Sequence, residues 1–251
     1  WVGVWRTLIK QHRYSDVMDS LTLFDQAQLQ FQPGQGFLYS SFGTNLASAV
    51  LQSAVAEPFL AYLAREISQP LALPSLMAAE VAYPQQVQFY FSNEQQVKLH
   101  WPVDLSQKWA GGGLAASSVD LAKLGAAWLD PAFISAEIQQ QFWTPQQLNS
   151  GEVNEQNYAL GWRVTERDFL FCDKQNKLTK AIRYIHHGGV SDGAQSWLVV
   201  YPELQLVLAM NTNTVKENYC DFAGQAAAII RPFLRQIVPE LLPAGVNTQN
   251  H

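Results

Sequence analysis

The run Ile185-His186-His187-Gly188-Gly189-Val190-Ser191-Asp192-Gly193 concentrates the residue types that could do chemistry in this chain. Gly189 to Gly193 spells G-x-S-x-G, a pattern that presents a serine hydroxyl on a sharp turn between a strand and a helix. His186-His187-Gly188-Gly189 offers something else. An imidazole that titrates near neutrality stands beside glycines that let a ligand come close to the backbone. The first reading makes Ser191 the nucleophile; the second places the nucleophile elsewhere.

The elements around the run separate the two. Ser196 to Tyr201 is β-branched and aromatic, which predicts a strand after the serine where the elbow needs a helix. Pro202-Glu203 makes a turn, and Leu206 to Met210 predicts a further strand. So short a connection makes the pair antiparallel, because a parallel crossover needs a dozen or more residues. Downstream partners for Ser191 reduce to Asp221 and His251. An α/β-hydrolase-type esterase built on Ser191 is therefore an alternative, not the leading reading.

Charged residues are 15% of the chain, against about 25% in an average globular protein, so a packed domain is expected. Net charge is −5 and no basic cluster occurs, which gives nucleic-acid binding no electrostatic support. No apolar run approaches the ~20 residues of a membrane-spanning helix. Cys172 and Cys220 have no metal-site spacing; they read as buried or free thiols, with a disulfide between them as the other option. The sequence opens Trp1-Val2-Gly3-Val4-Trp5 without methionine, as the interior of a longer polypeptide would.

Apolar spacing predicts a helix over Gly43 to Val55 and a second one opened by Pro58, with Phe59, Leu60, Tyr62, Leu63 and Ile67 on its inner face. Prolines break up Gln69 to Pro102, where Val87 to Tyr90 and Gln96 to Leu99 suit short strands. Ser117 and Asp120 resemble a capping box for a helix carrying Leu121, Leu124, Trp128 and Leu129. Strands are expected at Ala159 to Val164, Phe169 to Cys172 and Thr179 to Ile185, followed by the hairpin, whose two apolar faces predict cover on both sides. A helix from about Phe222 to Leu242 closes the chain, with Pro232 expected to kink or split it. Trp109-Ala110-Gly111-Gly112-Gly113 either cradles an anion at a helix start or makes a tight turn where side chains would clash. No G-K-[ST] follows, which favours the turn.

Three segments, in this order, carry a resemblance to one family. Phe31-Gln32-Pro33-Gly34-Gln35-Gly36-Phe37-Leu38-Tyr39-Ser40-Ser41-Phe42-Gly43 resembles the F-x-P-G-x-x-F-x-Y-S-N/S-x-G segment of β-lactamase-like and penicillin-binding-protein-like serine hydrolases. Lys108-Trp109-Ala110-Gly111-Gly112-Gly113-Leu114, with Ser118-Val119-Asp120-Leu121, resembles their A-G-G-L-x-S-T-x-x-D-L segment. His186 to Gly189, continued through Ser196 to Tyr201-Pro202-Glu203, resembles their H-T-G-G … S … P-E segment. Tyr39-Ser40-Ser41-Phe42-Gly43 and Lys108 to Gly113 point to the mitochondrial-type branch and its bacterial relatives.

The resemblance implies an α+β fold, in which an antiparallel sheet flanked by helices faces a mostly helical subdomain. Residues 1–251 would be the later part of one such domain. Residues up to about 150 would form the helical, irregular part, and those from about 151 to 245 the strands and last helix. It implies acyl-enzyme hydrolysis of an amide or ester, in a small molecule or a peptide, with no metal and no cofactor. Tyr39 and His186 are the implied catalytic side chains, His186 supporting the tyrosine hydroxyl or meeting substrate charge. A phenol, with a pKa of about 10, is a poor base unless cations assist it. Ser41 and Gly188 would orient substrate and admit it to the strand edge. The N–H of Gly189 would be one oxyanion donor, a kind of contact worth about 3 kcal/mol. His187 takes a threonine slot, on the wall of the site or facing solvent.

The nucleophile that the resemblance implies is the serine of S-x-x-K, and no serine here has a lysine three positions later. It is expected on sequence preceding Trp1 or on another chain, so residues 1–251 alone are expected to be inactive. A non-catalytic module that binds a peptide or partner in the same cleft is the competing reading. The resemblance further implies an extracytoplasmic or periplasmic setting and leaves an oligomer open.

Overall fold

The computed structural model describes residues 13–79, 86–92, 96–101, 103–167, 181–191, 193–215 and 219–242. Its helices are α1 (Ser41–Val55), α2 (Phe59–Leu63), α3 (Ser118–Ala127), α4 (Ala136–Phe142) and α5 (Tyr219–Ile237). Its strands are β1 (Met77–Ala78), β2 (Tyr90–Ser92), β3 (Val97–Leu99), β4 (Leu114–Ala115), β5 (Arg163–Arg167), β6 (Ile182–Ser191), β7 (Ala194–Tyr201) and β8 (Leu206–Thr212). β5 to β8 make one antiparallel sheet in sequence order; β1 pairs with β4 and β2 with β3. The fold is α+β.

The sheet is covered on both faces, as its apolar strands require. On one face Tyr184, Trp197, Val199, Tyr201, Leu208 and Met210 pack against Phe222, Ala226, Ile230 and Leu234 of α5. On the other, Ile185, Leu198 and Val200 meet Trp143 and Trp162, with Trp128, Leu129 and Phe142 at the margin. A third cluster joins Val17, Ala49 of α1, Phe59 of α2 and Trp109. Asn45 of α1 is buried, and its amide donates to Ser20 Oγ and, at 3.1 Å, to the Gln107 carbonyl. The first bond ties the helix to the segment before it, and the second to the chain leading into the triple glycine.

Local chemistry explains the element ends. Ser40 caps α1 by accepting from the Gly43 N–H at 3.4 Å. Ser117 caps α3 by accepting from the Asp120 N–H at 3.1 Å. The Asp120 carboxylate does not complete a capping box; it accepts from the N–H and hydroxyl of Ser75 at 2.8 and 2.5 Å. Those bonds hold its pKa below the usual carboxylate range. Ser135 caps α4, a short helix that the apolar pattern does not announce.

Other expectations shift. α5 runs on through Pro232 to Ile237 without splitting. β5 begins at Arg163 because Tyr158 to Trp162 is spent on a turn, closed by the Ala159 N–H on the Trp162 carbonyl at 2.8 Å. The expected strand Phe169 to Cys172 lies outside the described residues, and so does Cys172. Cys220 is disulfide-bonded, which corrects the thiol reading for that residue. Among the described residues no single helix is long and apolar enough to cross a membrane.

Candidate active site

β6 does not end at Ile185. It continues to Ser191, pairs along its length with β7, and turns back through two residues from Ser191 to Ala194. Strand, tight turn and strand replace the strand, turn and helix that an elbow needs. Ser191 is thus the last residue of a strand, and the elbow reading loses its context.

Putting the whole motif inside a strand has a second consequence. Successive side chains of a strand point to opposite faces, so the two histidines must part. His186 is buried beneath α5: its Nδ1 accepts from the Trp197 indole N–H at 3.1 Å, and its Nε2 lies 3.1 Å from the Thr165 hydroxyl. Tyr184 packs against the same ring. His187 faces the other way, with its ring centroid 5.8 Å from that of Tyr39. The structure therefore brings Tyr39 together with His187 and not with His186.

Two residues that no motif singled out complete the group. The Tyr158 hydroxyl lies 3.0 Å from His187 Nε2, and its ring meets Tyr39 edge-on with centroids 5.6 Å apart. The Arg163 guanidinium sits over both phenol rings, 5.7 Å from the Tyr39 centroid and 5.6 Å from that of Tyr158, at cation–π range. Burial pushes the Tyr158 phenol up to about 12, with Tyr39 adding to the rise and Arg163 opposing it. Burial lowers the His187 pKa; the Gly188 carbonyl opposes the shift and Arg163 adds to it. Tyr39 keeps 38% of its surface exposed, so a ligand can reach it.

The segment that delivers Tyr39 is held at both ends. At the Pro33-Gly34 turn Gly34 adopts φ +81°, a left-handed value that favours glycine. The Asn149 N–H bonds its carbonyl at 2.8 Å, and the Asn149 amide reaches the Pro33 carbonyl at 3.3 Å. Phe37, two residues before Tyr39, packs on Tyr158. At the far end Ser41 opens α1 against the glycine turn. A Cβ on Gly111 would run into the Ser41 carbonyl oxygen and crowd its Cβ. The triple glycine is thus a close backbone approach, as its turn reading expects.

Hydrogen-bond alternation along β6 locates the free donors. Ser191 and Ala194 close a two-residue turn, so they exchange both backbone bonds, and Gly189 and His187 do the same with Ser196 and Leu198. The N–H groups of Gly188 and Val190 then point away from β7. β5 stops at Arg163, opposite His186, so no described strand covers that edge beyond it. The Val164 N–H bonds the Asn157 carbonyl, away from β6, as the same alternation demands. By the same register Gly189 directs its N–H towards β7, so among the described residues the N–H groups that face the edge are those of Gly188 and Val190. A Cβ on Gly189 would meet nothing within 4 Å, which leaves space beside His187.

A sheet backed by α5 on one face and α3 on the other, with a tyrosine from the start of α1 brought to its edge strand, defines the class of β-lactamase and penicillin-binding-protein folds. Residues 8–229 match the family model described as Beta-lactamase, and the chain belongs to that family. The human serine beta-lactamase-like protein LACTB, mitochondrial, is 32% identical over 220 residues, covering 78% of this chain and 38% of that protein. The bovine form is 31% identical over the same length and the same shares. The chain spans 38% of the length of these relatives.

Among solved structures, a penicillin binding protein from Bacillus halodurans aligns with a TM-score of 0.69 at 19% identity, covering 92% of this chain and 66% of that one. The D-amino acid amidase of Ochrobactrum anthropi SV3 aligns at 0.66 with 15% identity, covering 91% and 66%. At such identities these two establish the fold alone.

Proposed function

We propose that this domain performs acyl transfer to water, hydrolysing an amide or ester in a small molecule or peptide, with the attacking serine supplied by an S-x-x-K segment outside residues 1–251. The observation that carries the reading is the meeting of Tyr39 and His187 beside the edge of β6 that no described strand covers. The phenol of Tyr39 is the group that passes a proton between the serine hydroxyl and the leaving atom. His187 lines the phenol and sets its position. Arg163 adds positive charge over the ring, on the side where negative charge develops. Ser41, at the first turn of α1, supplies a hydroxyl that orients the substrate or the incoming lysine. The outward N–H of Val190 or Gly188 is one oxyanion donor, and Gly189 keeps room for the acyl group. The second donor belongs to the N–H of the serine itself. One preorganised donor of this kind contributes about 3 kcal/mol to transition-state stabilisation.

The test is covalent labelling of the full-length protein with a fluorophosphonate, followed by mass-spectrometric mapping. The expected adduct is on an S-x-x-K serine preceding Trp1. An adduct on Ser191 would restore the elbow reading. A folded protein that takes no label would favour the non-catalytic binding module.

A further inference from the structure

Tyr158 belongs to none of the three motif segments, yet among the described residues it makes the side-chain hydrogen bond to the imidazole at the site. The bonds on the two ring nitrogens decide which of them carries the hydrogen. His187 Nδ1 lies 2.8 Å from the Gly188 carbonyl oxygen. A carbonyl can only accept, so Nδ1 is the donor there. The other nitrogen of a neutral imidazole is an acceptor, so the Tyr158 hydroxyl at 3.0 Å donates to Nε2. The edge-on contact between the Tyr158 and His187 rings fixes the plane of the imidazole as well. Arg163 lies across the faces of Tyr158 and Tyr39 together, so the phenol that holds His187 and the phenol beside it share one cation.

We infer that Tyr158 is a positioning residue: its hydroxyl holds His187 as the Nδ1–H tautomer and sets the ring beside Tyr39. This deepens the hydrolase reading above and takes from it only the importance of His187. One consequence concerns what the site can offer a substrate. With Nδ1–H on Gly188 and Nε2 capped by Tyr158, His187 has no free N–H for a ligand. Donors must then come from the edge of β6, and positive charge from Arg163. The lowered pKa of His187 and the raised pKa of Tyr158 act in the same sense, since they keep a neutral acceptor facing a neutral donor.

Nitrogen NMR of the full-length protein, labelled with ¹⁵N at histidine, tests the inference without any need for activity. A His187→Gln sample identifies the resonances. At mildly alkaline pH, Nδ1 of His187 should carry the hydrogen and Nε2 should resonate as a hydrogen-bonded acceptor. Tyr158→Phe should move Nε2 towards an unbonded acceptor and populate the Nε2–H form, while the His186 and His100 resonances stay in place as a check on folding. Wild-type His187 in the Nε2–H form, or a Tyr158→Phe spectrum identical to wild type, overturns the inference. Should Tyr158→Phe fail to fold, the wild-type tautomer alone still decides. Absence of fluorophosphonate labelling would sink the hydrolase reading and leave this result untouched.

Discussion

His186 and His187 are neighbours on one strand and belong to different parts of the molecule. His186 looks into the core under α5, where the Trp197 indole and the Thr165 hydroxyl occupy its two nitrogens. His187 looks out to an aromatic cluster in which Tyr39 stays accessible and, among the described residues, no strand pairs with the edge beyond His186. The first face is a packing surface with a satisfied polar group in it. The second keeps a cation and two phenols beside the outward-facing N–H groups of β6. A catalytic motif read from residue types is only as good as the strand phase assumed for it.

If that contrast is right, the largest loss of stability comes from the α5 face. Trp197→Ala removes a buried indole together with the donor to His186, and should cost about 3–5 kcal/mol in urea denaturation. Tyr39→Ala should change the same curve by about 1 kcal/mol or less. Equal losses would erase the distinction between the faces.

Gly111→Ala probes the approach that sets the start of α1. The added methyl group meets the Ser41 carbonyl, so a cost of about 1–3 kcal/mol is expected from overpacking, together with weaker fluorophosphonate labelling of the full-length protein. A neutral effect on both would mean that the glycine turn does not position the site.

His186→Ala comes next. It strands the indole N–H of Trp197 in the core, and an unsatisfied buried donor costs about 1–3 kcal/mol. His187→Ala should cost less in the same urea measurement, because its partner Tyr158 is only partly buried. The reverse order would show that the faces are misassigned.

The smallest effects are in pH. His187 binds its proton more weakly when folded than at the unfolded value of about 6.5. Its contribution to stability is therefore present above that pH and is lost as pH falls towards the lower folded value. Tyr158 has the opposite sign: its folded pKa is raised to about 12, so stability falls as pH climbs from the unfolded value of about 10 towards it. His187→Leu should flatten the acid limb of a melting-temperature profile, and Tyr158→Phe should remove from an ultraviolet titration a phenol that titrates at about 12.

Much of this was legible before any coordinates. The hairpin Ala194 to Thr212, the α1 and α3 helices, and the turn role of the triple glycine follow from β-branched runs, cap residues and glycine sterics. Tyr39 was singled out by its motif. The phase of the two histidines was not legible, for a physical reason. Ile182, Tyr184 and Ile185 are buried on opposite faces of a sheet covered on both sides, so hydrophobic alternation carries no information there. The glycines also suggested a break where the backbone keeps pairing. Tyr158 and Arg163 were missed because they flank a turn, and nothing in their spacing links them to a strand entered later in the chain. A tyrosine and an arginine five residues apart, closing a tight turn into an edge strand, is the pattern that would have flagged them.

The proposed site takes His187, and not His186, as its imidazole. The most direct test of that assignment is the rate of fluorophosphonate labelling of the full-length protein and of two variants, His186→Gln and His187→Gln, each first shown to be folded. A misplacement of about 1 Å in a reacting group, here the Tyr39 phenol that His187 lines, can cost about 10²-fold in rate. Loss of about a hundredfold or more is predicted for His187→Gln, with His186→Gln within a few-fold of wild type. A hundredfold loss confined to His186→Gln would contradict the account.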